Sequence, residues 1–157
     1  MAFLLSELTL KSNDFKHMKK IPKGHTGEGS NVSPHLSWDN VPEDTKAFAL
    51  IAYDPDAPLI KNGEVGFVHW LLYNIPGDVR ELKKGSAPYT QGDNDGNQRD
   101  YVGPMPPKGD GPHLYYFMLI ALDKDSKLQE GLTMQALLKH IEPHALGMTR
   151  LVGKYER

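Results

Sequence analysis

Two short segments hold most of the residues in this chain that could do chemistry. Asp54-Pro55-Asp56-Ala57-Pro58 precedes the strand-like Val68-His69-Trp70. Gly103-Pro104-Met105-Pro106-Pro107-Lys108-Gly109 precedes His113-Leu114-Tyr115. Each segment joins a rigid, Pro-rich turn to a histidine in an apolar run. Side by side, they would bring two imidazoles, two carboxylates, a phenol and backbone N–H groups to one small cavity. Imidazoles and converging N–H groups suit an anion. A carboxylate or a phenol ring suits an ammonium. The pair therefore predicts a site for a small anionic or zwitterionic ligand, of which phosphoethanolamine is the simple example.

Each residue also has a plainer reading. Asp54 closes an apolar strand, and Pro55 keeps it out of the helical region. Asp54 and Asp56 point the same way if the backbone stays extended, where they repel unless a cation such as a charged His69 lies near. The alternative is that both make turn hydrogen bonds, as Asp does beside Pro. His69, alone, reads as a core histidine with one backbone partner. His113 and Tyr115 share a face at the opening of another buried strand, and core packing is the alternative for Tyr115. Met105 and Gly109 fall in a turn whose N–H groups can converge on an anion.

These residues need elements to position them. Ala47–Tyr53, Phe67–Ile75 and Tyr115–Asp123 read as strongly apolar strands, with weaker ones at Glu7–Lys11, Leu36–Trp38 and Leu151–Tyr155. In the second run, strict alternation puts Phe67, His69, Leu71, Tyr73 and Ile75 on one face and Val68, Trp70, Leu72 and Asn74 on the other. Both faces are apolar, so this strand is expected to be central and covered on both sides. One helix is expected over Thr133–His144, with Thr133 as N-cap, Met134, Leu137, Leu138 and Ile141 at helical spacing, and Pro143 and Gly147 ending it. No helical pattern separates the strong strands, so antiparallel sheets with few helices are expected. The segment from Lys83 to Pro112 is a long, proline-stiffened loop of the kind that carries function.

Composition narrows the classes further. The 157 residues, 39% hydrophobic, are expected to form a single domain over 1–157. A net charge of −2 points to neither a nucleic-acid nor an anionic-membrane partner. With no cysteine, disulfides, thiolate metal sites and a cysteine nucleophile are excluded. Met1-Ala2-Phe3-Leu4-Leu5-Ser6-Glu7-Leu8 lacks the basic start and the apolar length of a signal peptide. No stretch approaches the ~20 apolar residues of a membrane span. A cytoplasmic protein is the expectation. Asp93-Asn94-Asp95-Gly96-Asn97 has a calcium-like composition, but no Glu follows at EF-hand spacing, so a solvated turn is expected. His140 and His144 stand four apart near a helix C-terminus, which favours the dipole rather than a metal.

Enzyme signatures are weak. There is no G-x-S-x-G elbow and no H-E-x-x-H helix. An apolar strand followed by Asp54-x-Asp56 is superficially like the start of an aspartyl phosphatase. However, Pro55 and Pro58 stiffen that loop, and the alternating helices of such a fold are missing. No catalytic residues, metal ligands or cofactors are expected.

Taken together, DPDAP then VHW, and YVGPMPPKGDGPHLYYF then ALD, resemble the phosphatidylethanolamine-binding protein family, which includes the Raf kinase inhibitor proteins and many small bacterial and archaeal members. Asn31-Val32-Ser33-Pro34-His35-Leu36-Ser37-Trp38 is similar to the family's N-terminal signature. Gln91-Gly92 with Asn94 and Gly96 is similar to the loop before its second signature, and Leu151–Arg157 to the close of bacterial members. The resemblance implies a central antiparallel sheet packed on a smaller sheet, with short peripheral helices. It implies a shallow anion pocket comprising Asp54, Asp56, His69, Gly103, Pro104, Met105, Pro106, His113 and Tyr115, and it assigns Trp70 to the core. Family pockets take phosphate, acetate, cacodylate and phosphoethanolamine groups. Met105 stands where many relatives carry a small residue, so a narrower mouth is expected. The chain stops at Arg157 without the C-terminal helix of animal relatives, which weakens any carry-over of kinase regulation. A kinase or protease inhibitor remains the alternative function, and frequent dimers among bacterial members leave a homodimer open.

Overall fold

Alternation of apolar side chains along a few long strands decides the architecture. The structure, a computed structural model, describes residues 4–157. The signal-peptide reading of Met1–Leu8 thus falls partly outside the described residues. The strands of the first half are β1 (Thr9–Lys11), β2 (Lys19–Lys20), β3 (Leu36–Asp39), β4 (Ala47–Asp54), β5 (Ile60–Lys61), β6 (Glu64–Val65) and β7 (Phe67–Pro76). They are followed by β8 (Glu81–Leu82), β9 (Thr90–Gln91), β10 (His113–Leu122) and β11 (Ala145–Tyr155). Among the described residues one α-helix, α1 (Met134–Ile141), runs into a 3-10 turn at Glu142–His144, and a second 3-10 turn lies at Lys23–His25.

A six-stranded sheet in the order β2-β11-β10-β4-β7-β9 forms the centre, a three-stranded sheet β1-β3-β8 packs on it, and β5 and β6 make a separate hairpin. The long pairings β10–β11, β10–β4 and β4–β7 are all antiparallel. Among the described residues only the short β2 pairs parallel, with β11. Phe48, Leu50 and Ala52 of β4, with Tyr115, Phe117 and Leu119 of β10, face Leu10, Leu36, Trp38 and Leu82 of the small sheet. Ala47, Ala49 and Ile51 face the other way, with Leu71, Tyr73 and Ile120, and are covered by Leu132, Leu137 and Ile141. Both faces of the central strands are therefore dry, and each large side chain so buried contributes about 1.5–3 kcal/mol. The Thr133 hydroxyl accepts from the Ala136 N–H and caps α1 as expected.

Two expectations are corrected. Gly147 does not end the helix but lies inside β11, which begins at Ala145 rather than Leu151. A Cβ on Gly147 would meet Ser6 Oγ at 2.6 Å, so the glycine lets the N-terminal segment cross this strand. Strict alternation along β7 also fails. Ala52 pairs with Trp70 and Tyr53 with Val68, leaving His69 as an extra residue. A second irregularity follows between the pairs Leu50–Leu72 and Phe48–Ile75, beside Asn74 with its φ of 55°. As a result Val68, Leu71 and Tyr73 share one face, while Trp70, Leu72 and Ile75 share the other. A β-bulge of this kind re-aims one side chain without breaking the sheet.

Candidate functional site

The re-aimed side chain is His69. It is 7% exposed, and its ring lies 4.6 Å from that of Phe67 and edge-on to Tyr115 at 5.2 Å. Two backbone bonds tie this point of β7 to the long loop. The Val102 N–H donates to the His69 carbonyl at 3.1 Å, and His69 Nδ1–H donates to the Val102 carbonyl at 2.6 Å. A carbonyl only accepts, so the proton of the neutral ring must sit on Nδ1, and Nε2 carries a lone pair. Burial pushes His69 below the ordinary imidazole range, against the Val102 hydrogen bond and the Asp54 and Asp95 charges, which act to raise it.

β10 and the end of β4 supply the opposite wall. His113 and Asp54 are both buried. His113 Nδ1–H donates to Asp54 Oδ2 at 2.8 Å, and Nε2–H donates to Asp110 Oδ2 at 2.6 Å. A ring that donates from both nitrogens is an imidazolium. Burial works against that charge, but the hydrogen bonds and charges of Asp110 and Asp54 outweigh it, and His113 is raised above the ordinary range. The other oxygen of Asp54 accepts from the Asp56 N–H at 2.8 Å, an Asx turn that Pro55 makes rigid. Burial, then the charge and hydrogen bond of Asp54, push the Tyr115 hydroxyl well above its usual range, so it stays protonated.

The third wall is the turn after Tyr101. Gly103 is pressed against the 25–26 backbone, where a Cβ would meet the His25 carbonyl oxygen at 2.2 Å. Its N–H donates to Asn31 Oδ1 at 2.7 Å. Arg157 holds the turn from the other end: its Nε–H donates to the Pro106 carbonyl at 2.6 Å, and its own carbonyl accepts from Gly109 N–H at 3.1 Å. Met105 is 48% exposed and rests its Sδ over Gly27, where a Cβ would lie 2.9 Å away.

Of the nine residues expected at the site, Asp54, His69, Gly103, Met105, Pro106, His113 and Tyr115 line one cavity of about 170 Å³. Asp56 and Pro104 do not line it. The Asp56 carboxylate instead accepts from the Leu114 N–H at 2.8 Å, holding the start of β10. The Pro104 carbonyl accepts from Gly27 N–H at 2.9 Å, fixing the turn to its platform. The expectation that the N–H groups of the Met105 and Gly109 turn converge on an anion is corrected for Gly109, whose N–H is given to the Arg157 carbonyl. Ala57, Phe67, Val102 and Pro107 complete the lining and were missed. Phe67, two residues before His69, could have been found from the shared face. Val102 had no sequence signal.

A larger cavity, about 400 Å³, opens beside Val68 and is lined by Lys61, Glu64, Asp93, Asp95 and Arg99, among others. Four of its charged groups pair, Arg99 with Asp93 and Lys61 with Asp95. The calcium-like segment beside it winds around buried Asn94, whose Oδ1 accepts from the Gly96 and Gln98 N–H groups and whose Nδ2 donates to Asp100.

Comparison with known proteins supplies an independent line. The family model described as phosphatidylethanolamine-binding protein matches residues 11–156. A UPF0098 protein of Methanothermobacter thermautotrophicus is 40% identical, the match covering 96% of this chain and 99% of that one. The crystal structure of a phosphatidylethanolamine-binding protein homologue, CT736 from Chlamydia trachomatis, superposes with a TM-score of 0.89 at 34% identity, over 98% of this chain and 99% of that one. That of E. coli YbcL, described as a new member of the mammalian family, gives 0.88 at 32% identity, over 97% and 99%.

Proposed function

The chain belongs to the phosphatidylethanolamine-binding protein family, and from that premise we propose that its small cavity binds a small phosphorylated or carboxylated ligand without chemically transforming it. The observation that carries this reading is the meeting of His69, Asp54, His113 and Tyr115 on one cavity of about 170 Å³. That volume is well below the ~300–1,000 Å³ of pockets for drug-sized ligands. A single phosphate or carboxylate group is the fitting size, with any remainder of the ligand passing Met105 to solvent.

The same geometry argues for binding over turnover. Both oxygens of Asp54 are engaged, one by Asp56 and one by His113, so its carboxylate is not poised as a nucleophile. Tyr115 is held further from its phenolate by burial, whereas nucleophilic catalysis needs an activated group. Regulation of a kinase or protease has no side-chain cluster behind it here and forms no part of the proposal.

Side-chain NMR of the histidines tests the reading. Millimolar inorganic phosphate or phosphoethanolamine is expected to shift the ring resonances of His69 and His113 while leaving His17 and His140 in place. Unchanged His69 and His113 resonances across that range would sink it.

A further inference from the structure

A group of cations stands just outside the small cavity, behind its proline rim. Pro106 and Pro107 line the cavity. Lys108 follows Pro107 in the chain and is exposed. The Arg157 guanidinium is anchored by its Nε–H on the Pro106 carbonyl at 2.6 Å. Lys23 opens the 3-10 turn Lys23–His25, in the platform under the Gly103 turn. Lys20 on β2 lies 5.7 Å from the centroid of the Tyr155 ring. None of these four side chains lines the cavity itself.

Glu28 shows that they share one surface. It follows Gly27, on which Met105 rests. Its Oε1 accepts from the hydroxyl of Tyr155 at 2.6 Å, and Tyr155 is the β11 partner of His113. That hydrogen bond holds the Glu28 carboxyl below its ordinary range, and the charges of Lys23, Arg157 and Lys108 pull the same way. Among the described residues, no carboxylate closes an ion pair with Lys20, Lys23, Lys108 or Arg157. Asp110, the next carboxylate along the turn, is committed to His113. The cations therefore outnumber the exposed carboxylate set among them, beside the mouth at Met105.

We propose that this surface is a second anion subsite, so that the preferred ligand carries two anionic groups, one seated in the cavity and the other, past Met105, on Lys23, Lys108 and Arg157. This rests on the reading of the cavity as an anion site and names the class of ligand it takes. Cations that do not line the cavity cannot bond a group seated inside it, but they face whatever leads out of it. Arg157 spends Nε on the Pro106 carbonyl and keeps its Nη groups, which suit a phosphate or a carboxylate, and each lysine adds three donors on a flexible stem. Such exposed cations hold a lone anion weakly, because water and salt screen them. Linking that anion to one already in the cavity makes the second contact intramolecular, and affinity rises although neither contact is strong.

The bisphosphates of ethylene glycol, butanediol and hexanediol, titrated against methyl phosphate, test this. Affinity is expected to pass through a maximum with linker length, where the bisphosphate binds about tenfold or more tightly than methyl phosphate. The gain should shrink as salt is raised from about 0.1 M to about 1 M. The double variant Lys23→Gln, Lys108→Gln should lose most of the gain and keep its affinity for methyl phosphate, which also shows that it is folded with its cavity intact. Arg157 is left in place because it holds the Pro106 carbonyl. A bisphosphate advantage of about twofold or less at every length, the statistical value for two like ends, would overturn the proposal. So would a gain that survives in the double variant, or an equal loss there for methyl phosphate. If methyl phosphate leaves the ring resonances of His69 and His113 in place, the cavity reading fails and takes this one with it. Methyl phosphate that moves them while no bisphosphate binds more tightly overturns the second subsite alone.

Discussion

His113 shows how much one position can depend on a residue that looks incidental. Asp110 sits in a turn between Gly109 and Gly111, both at positive φ, and half of its side chain faces solvent. Yet it accepts the Nε2–H of a buried imidazolium, and with Asp54 it keeps that ring charged. Asp110→Asn keeps an acceptor but removes a charge, so the His113 pKa should move down when followed by NMR titration. An unchanged value would mean that Asp54 alone sustains the charge. Residue types and spacing made Asp54, His69, His113 and Tyr115 legible as chemistry. They did not reveal Asp110, because an Asp between glycines reads as an ordinary turn. Nor could they separate Asp56 from Asp54: the chain leaves extended geometry after Asp54, so the two carboxylates diverge, one to His113 and the other to Leu114 N–H.

At the level of elements, the strands were legible because long apolar alternation overrides local detail, and β4, β7 and β10 stand where the pattern puts them. The faces of β7 were not, since a bulge is a pairing event between two strands and leaves no mark in one strand's own sequence. The same holds for the platform of the Gly103 turn. It is assembled from the 22–33 segment, about 72 residues away in the chain, and its close approach appears in sequence only as a glycine. Gly103→Ala places a methyl against the His25 carbonyl and the Asn31 side chain. The backbone cannot yield there, so a loss of about 1–3 kcal/mol is expected, read as a lower urea midpoint at unchanged m-value. Stability within error of the parent would show that the platform can move.

For the whole molecule, the two site histidines titrate in opposition. His113 is raised on folding, so its contribution to stability is complete below the unfolded value of about 6.5 and is lost as pH rises through the folded value. His69 is lowered, so the unfolded chain binds more protons below about pH 6.5, and stability is lost as pH falls toward the folded value. Their joint contribution is greatest near the crossover. Urea unfolding from pH 5 to 8 should show it by difference: His69→Gln should flatten the acid side of the profile, and Asp110→Asn the alkaline side. Parallel profiles for all three proteins would refute the assignment.

The bulge at His69 has a genetic consequence. Between the pairs Ala52–Trp70 and Tyr53–Val68, β7 holds one residue more than its ladder with β4 requires, and that residue is the histidine that lines the cavity. Without it, Val68 and Trp70 would be consecutive opposite Tyr53 and Ala52, and the ladder would pass this point unbroken. The sheet and the cavity are therefore encoded separately at this point, and loss of the single His69 codon is expected to take a ring from the cavity while leaving the sheet to fold.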